Sequence, residues 1–360
     1  DIGGKLVYEG GKPRPKLSGN VSTRKLVFSD LAPLIGGDSN ASKKARGVET
    51  VQPGGKVLPV EEFRTERWKA IDADVRYAAD QIIRDKTLPI SKLSTHLIMK
   101  DGVITLAPLD FGVAGGTLRS TIRMDGSGAK GNTIAATAKV SARHIQIRQL
   151  FPTIEKMQAT VGQINGDAQL SATGTSVAAL LGSSNGEVKA LVNEGTISKM
   201  LLEQMGLNVG NIIVTKLFGD KQVQINCLAA DFNVNKGVMQ SQVFVVDTEE
   251  AIVGVNGTIN LANEQMDLTI KPETKALRLF TLRAPLYVRG PFSKPDVSVD
   301  KGVLALKAGG AAVLATVAAP VAALLPLINT GPGQDSDCAR LVALAKERPT
   351  APPPGQAKKR

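Results

Sequence analysis

The sequence predicts a mainly β fold with short helices, arranged as a long antiparallel β meander, and three patterns carry that expectation. Apolar and polar residues alternate with period two, as half-buried strands with one polar face require. Leu118, Ser120, Ile122 and Met124 oppose Arg119, Thr121 and Arg123, and Met266, Leu268 and Ile270 oppose Gln265, Asp267 and Thr269. Turn signals separate the runs, among them Lys100-Asp101-Gly102, Asp125-Gly126, Asn165-Gly166, Asn185-Gly186, Asn193-Glu194-Gly195, Lys236-Gly237 and Asn256-Gly257. Asn-Gly and Asp-Gly supply the positive φ of tight hairpins. Helical periodicity is confined to short stretches, 145–151, 176–181, 197–205 and 209–218, which read as small amphipathic helices lying across a sheet.

In chain order, residues 1–35 read as the end of a preceding β repeat. A Gly-rich strand beginning at Leu17-Ser18-Gly19 runs into a helical cap at Leu31-Ala32-Pro33-Leu34-Ile35, and the pattern returns from Thr133 to Leu150-Phe151-Pro152. Residues 36–55, rich in Ser, Gly, Lys and Ala, form the expected flexible loop or linker. Residues 56–300 carry most of the strands. Residues 301–348 are Ala-rich and read as a helical C-terminal segment, and 349–360, with Pro352-Pro353-Pro354, is expected to be disordered. Within the Ala-rich part, 302–328 is long enough to span a bilayer. Pro320 and Pro326 interrupt it and Ala adds little to insertion, so packing on protein or lying at an interface is expected instead. The chain opens on Asp1 without an initiator Met or a signal sequence, so any targeting element is expected outside it.

The formal charge is +11, from 44 basic and 33 acidic residues, and the excess is dispersed. Aromatic residues make up 4% of the chain, too few for the stacking platforms of a nucleic-acid binder, so no nucleic-acid partner is expected. Diffuse positive charge suits an anionic membrane surface or plain solvation. Catalytic and cofactor signatures are missing: the sequence has no GxSxG, HExxH or GxxxxGK[ST]. His96 and His144 stand apart from any nucleophile and read as surface or sheet-edge residues. Gly112-Val113-Ala114-Gly115-Gly116 reads as a turn or bulge. Asp72 and Asp74 share a strand face, a spacing that permits metal ligation but more often means two solvated acids. The expectation is a protein that is not an enzyme, with no catalytic residues, cofactor or metal.

Two cysteines occur. Cys227 is in phase with Val223 and Ile225, so it belongs to the apolar side of a strand, where it is either an inert buried thiol or half of a disulfide. Cys338 opens a helical stretch behind the capping residues Asp335, Ser336 and Asp337.

The ordered set Leu31-Ala32-Pro33-Leu34-Ile35-Gly36, Val57-Leu58-Pro59, Asp72-Ala73-Asp74-Val75, Pro108-Leu109-Asp110-Phe111-Gly112, Gln224-Ile225-Asn226-Cys227, Val246-Asp247-Thr248-Glu249 and Arg283-Ala284-Pro285-Leu286-Tyr287-Val288-Arg289-Gly290-Pro291-Phe292 resembles the C-terminal region of the AsmA family. Leu324-Leu325-Pro326-Leu327-Ile328 and Asp335-Ser336-Asp337-Cys338 continue it. The resemblance implies a periplasmic protein, held at the inner membrane by a segment outside this chain, that serves outer-membrane biogenesis and phospholipid transport between the membranes. It also implies that Cys227 and Cys338 form a disulfide, and that 56–300 is a domain whose meander is curled into an open groove sheltering phospholipid acyl chains. The candidate lining residues are then Leu118, Ile122, Met124, Val223, Ile225, Met266, Leu268 and Ile270, each equally readable as ordinary core. The alternative function is a scaffold or modulator of outer-membrane protein assembly, with envelope proteins as partners.

Overall fold

The computed structural model describes residues 2–27, 39–83, 90–128, 132–150, 160–192, 195–199, 221–275, 285–299 and 336–357. Its dominant feature is one sheet of sixteen strands: β1 (Ile2–Glu9), β2 (Lys16–Val27), β3 (Asp72–Ile83), β4 (Ile90–Lys100), β5 (Val103–Val113), β6 (Gly116–Asp125), β7 (Ile134–Gln146), β8 (Val161–Gly174), β9 (Asn185–Val192), β10 (Gly195–Ser198), β11 (Gln222–Asn235), β12 (Val238–Thr248), β13 (Ala251–Asn260), β14 (Gln265–Thr274), β15 (Leu286–Pro291) and β16 (Asp296–Val299). Neighbours follow chain order from β1 to β16, except that β9 and β10 share the space between β8 and β11. Among the described residues the path ends at β1 on one side and β16 on the other, so the described strands form an open sheet.

Local chemistry fixes the hairpins. At Asp101-Gly102, Ala114-Gly115 and Lys236-Gly237 both turn residues have positive φ, the backbone that matches the right-handed twist of the flanking strands. Three Asn-Gly pairs behave differently from the sequence expectation. Asn165-Gly166 lies inside β8, Asn185-Gly186 opens β9 and Asn256-Gly257 lies inside β13. These glycines permit close backbone approach: a Cβ on Gly257 would stand 2.0 Å from the Asp267 carbonyl oxygen, and one on Gly166 would stand 2.7 Å from that of Lys189.

The meander also has one parallel step, from Lys16 beside Asp72 to Val27 beside Ile83, between β2 and β3. A parallel step requires a long return connection. That return carries α1 (Asn40–Ala45) and α2 (Thr65–Ala70), so the 36–55 segment is not plain loop. Ser39 caps α1 by accepting the Ser42 N–H, and Asn40 accepts the Gln52 N–H at 2.8 Å. The connection then crosses one end of the sheet. Val57 N–H donates to Glu264 at the β13–β14 turn, Phe63 N–H to the Thr175 carbonyl after β8, and Lys69 Nζ to the Gly128 carbonyl after β6.

Three further short helices are α3 (Ile147–Leu150), α4 (Val177–Gly182) and α5 (Cys338–Lys346). Ser176 caps α4, as the 176–181 pattern predicts, whereas the 145–151 pattern is strand through Gln146. Of the expected helix at 197–205, Ile197 and Ser198 belong to β10. The expected helix at 209–218 and the 302–328 segment lie outside the described residues, and no described helix is long and apolar enough to cross a membrane. The tail departs from expectation: residues 349–357 are ordered along β8 and β9, with Thr350 N–H donating to Glu187 at 2.8 Å. The prolines there preset an extended backbone that loses little entropy on docking.

Candidate functional site: an apolar face running the length of the sheet

Residues directly opposite one another on paired strands point to the same face, so register converts sixteen separate period-two patterns into two surfaces. One row starts at Leu6 and passes through Gly19, Val75, Leu97, Leu106, Ile122, Ala138 and Leu170 to Gly186. It continues through Val234, Met239, Ile259 and Met266 to Gly290. Every position in this row, from β1 to β15, is apolar or Gly. The next row, toward the end of the sheet crossed by the β2–β3 connection, is equally apolar over β1 to β8: Tyr8, Leu17, Ala73, Met99, Ile104, Met124, Ala136 and Ala172.

The opposite face is polar in the same register. Thr121, Lys139, Gln169, Glu187 and Asn233 stand side by side and continue through Gln240, Thr258, Asp267 and Arg289 to Asp296. On this face Arg289 pairs with Asp267 at 2.9 Å and lies 4.4 Å over the Tyr287 ring, and the Asp267 hydrogen bond pushes the guanidinium up. His96 Nε2 lies 2.7 Å from Asp74 Oδ1, and that hydrogen bond holds the Asp74 carboxyl below its ordinary value. Asp72 is engaged separately, with Arg14 and the Asp101 N–H. His144 has positive φ, and its N–H donates to Asn165 at a register shift between β7 and β8.

Helix α5 covers an apolar patch on the polar side, not the apolar face. Its Leu341 and Ala345 bury against Leu191, Cys227, Ala229, Val243, Val245 and Ile252. Cys227 and Cys338 are joined in a disulfide, with 5.9 Å between their Cα atoms. Lys189, 5% exposed, caps the helix C-terminus through the Leu344 carbonyl at 3.3 Å and pairs with Asp231 at 3.2 Å. With α5 committed to the other side, the long apolar row stays half-buried: of its members only Val234 is buried outright among the non-Gly residues, and Leu6 is 51% exposed. A close-packed interior would enclose such residues almost completely.

The predicted lining residues divide accordingly. Ile122 and Met266 lie in the long row, Met124 lies in the neighbouring one, and Leu268 stands opposite Gly257 and Val288. Leu118 and Ile270 lie at the other strand ends, each packed beside a small cluster. Val223 and Ile225 are 2% exposed inside a cluster with Ile197, Val246, Ala251 and Val253, and contribute packing there. The sequence reading missed Leu97, Leu106, Leu170 and Ile259, whose alternation is visible but whose alignment depends on register.

These features define an open, amphipathic β-sheet protein with a covalently fastened C-terminal helix on its polar face. The AsmA family model matches residues 1–244. AsmA family protein YhjG of Escherichia coli (strain K12) is 47% identical over 354 residues, covering 96% of this chain and 51% of that protein. The chain belongs to the AsmA family, and it spans about half the length of this relative. No solved structure gives a significant match.

Proposed function

We propose that this chain is a non-enzymatic part of a bacterial envelope-biogenesis protein that shelters phospholipid acyl chains along its apolar sheet face, curled into a groove, and passes them between inner and outer membranes. Membership in the AsmA family supports the envelope role. The observation that carries the lipid reading is the unbroken apolar row from Leu6 to Met266, half-buried and backed by a polar face. A surface of that length left to water forfeits about 25 cal/mol for each Å² of apolar area, and acyl chains are the long apolar ligands that recover it without demanding shape-specific contacts. In this reading the protein works in the periplasm, held at the inner membrane by a segment outside the chain.

The test is lipid mass spectrometry on protein purified in mild detergent, combined with photo-crosslinkers at Ile122 and Leu268. Phospholipid recovered with the protein and crosslinked at both positions is the expected result. Protein free of lipid, with the crosslinkers reaching only other proteins, would overturn the lipid reading in favour of a scaffold for outer-membrane protein assembly.

A further inference from the structure

On the polar side of the sheet, away from the apolar rows, the C-terminal end of α5, the residues just after it and the outer surface of β5 to β8 line an open cleft of about 740 Å³. Its floor is set by register. Arg119 lies opposite Ser141, and Ser141 opposite Asp167, while Thr121, Lys139 and Gln169 form the adjacent row. The wall is Lys346 and Arg348. That wall is a fixed part of the fold: α5 is bonded to β11 through Cys338, Lys189 Nζ holds the Leu344 carbonyl, and the Thr350 N–H is tied to Glu187 two residues beyond Arg348.

Charge is unbalanced in the cleft. Five cations line it, Arg119, Lys139, Arg143, Lys346 and Arg348, against the two carboxylates of Asp110 and Asp167. Asp167 is engaged by the Arg143 guanidinium at 3.0 Å from each oxygen, while Asp110 has Arg119 4.0 Å from Oδ2 and its buried Oδ1 has no hydrogen-bond partner among the described residues. Lys139, Lys346 and Arg348 form no ion pair among the described residues. Three like charges brought together by a disulfide-anchored wall and a register-fixed floor focus positive potential into one concave site. Between them stand neutral hydrogen-bonding groups, the Thr121 and Ser141 hydroxyls and the Gln169 amide. The lining includes no aromatic ring, so it offers no platform for stacking a nucleobase.

We propose that this cleft is a second binding site, for a polar ligand that combines phosphate with a polyol: a glycerophosphate or phosphosugar group, either free or as the headgroup of a lipid. The three uncompensated cations meet the phosphate, and the hydroxyls and amide meet the polyol. This site is independent of the acyl-chain reading, because it lies on the other face and its ligand stays in water.

The experiment measures binding of sn-glycerol 3-phosphate and, separately, of vesicles of phosphatidylglycerol or phosphatidylcholine to the whole chain. The parent protein is expected to bind at least one of the two phosphoglycerol probes saturably and more weakly as salt rises. Lys139→Glu combined with Arg348→Glu should lower that binding at least tenfold. Lys5→Glu combined with Lys271→Glu, the same change in net charge far from the cleft, should leave it unchanged. Loss of glycerol phosphate binding in the cleft variant assigns the free ligand, and loss confined to phosphatidylglycerol vesicles assigns a lipid headgroup. All four positions are exposed or half-buried, so retained thermal stability is expected, and Lys139→Gln with Arg348→Gln repeats the test without charge reversal. Absence of saturable binding by either probe, binding indifferent to both cleft variants, or equal loss in the distant-charge control would overturn the proposal.

Discussion

Asp247 and Ser336 stand 89 residues apart in sequence, yet the Asp247 carboxylate accepts the Ser336 backbone N–H at 2.6 Å inside the protein. The same carboxylate takes the Lys275 ammonium at 2.6 Å and the Asn226 amide at 2.6 Å, and its side chain is fully enclosed. One buried anion thus ties β11, β12, the residue after β14 and the entry to α5. Removing one member of a buried, hydrogen-bonded ion pair leaves the other charge uncompensated, at about 3–5 kcal/mol. Asp247→Ala is therefore expected to lower unfolding stability by about that much in a urea titration. It should also raise hydrogen exchange at α5 amides. Parent-like exchange in α5 would show that the helix is held by its other contacts.

The disulfide holds the same helix by a different route. A closed loop with a sequence separation of 111 residues is worth about 5 kcal/mol in the chain-entropy picture. The Asp247 network and Lys189 already dock α5, so the loss in Cys338→Ala should fall below that figure. Because α5 forms one wall of the basic cleft, Cys338→Ala should also weaken phosphate binding there. Unchanged stability and unchanged binding together would mean that the bond fastens nothing the packing does not.

Gly257 shows where local sequence misleads. Asn256-Gly257 has turn chemistry, but its φ of +135 serves a close strand contact in the middle of β13. Gly257→Ala should destabilise by more than about 1 kcal/mol, since it combines an unfavourable φ with a clash against backbone. The clash with the Asp267 carbonyl should also loosen the pairing of Gly257 with Leu268 and of Thr258 with Asp267, readable as faster exchange across β13 and β14.

Much of the fold was legible because period-two alternation and positive-φ turn pairs are local signals. Ile122 and Leu268 could be placed on an apolar side from five residues of context each. Register is not local: that Leu97, Leu106, Ile122 and Leu170 form one row follows from pairings between strands, and a slip of one residue would have turned any of them outward. The parallel β2–β3 step was likewise invisible, since nothing within either strand encodes its neighbour's direction. Val223 and Ile225 carry the same alternation as Ile122, and only their enclosure by Ile197, Val246 and Val253 separates packing from exposed lining. Of the three capping residues before Cys338, Asp337 does cap α5, while Ser336 turns to Asp247, a partner that the sequence did not indicate.

The loop after β6 offers a pH test. Asp125 accepts the Ser127 hydroxyl at 2.6 Å and the Ser127 N–H at 3.1 Å, and Arg123 lies 3.1 Å away, so its carboxyl is held below the ordinary 3.8. The Ser127 hydroxyl bond is the largest cause. A depressed folded midpoint means that the stabilisation is complete above the unfolded value and disappears as pH falls through the folded one. In Ser127→Ala the Asp125 midpoint, followed by carboxyl NMR, should rise toward 3.8. An unmoved midpoint would assign the depression to Arg123 instead.

The two apolar surfaces of the sheet make the decisive comparison. Val245 is fully enclosed beneath α5, whereas Leu170, on the apolar row, is half-buried. A carboxylate forced into a closed interior costs several kcal/mol, while one on a face that water or mobile ligand can reach keeps much of its hydration. Val245→Asp is therefore expected to unfold the C-terminal half or to drop the melting temperature by more than 10 °C, taking about 3 kcal/mol or more and a few degrees per kcal/mol as the scale. Leu170→Asp should cost much less stability and yet remove lipid from the purified protein and abolish crosslinking at Ile122, two positions along the same row. If Leu170→Asp collapses the fold as Val245→Asp does, the apolar row is closed core and the acyl-chain path fails. If it folds and still carries lipid in parent amounts, the lipid binds elsewhere, and the row is not its track.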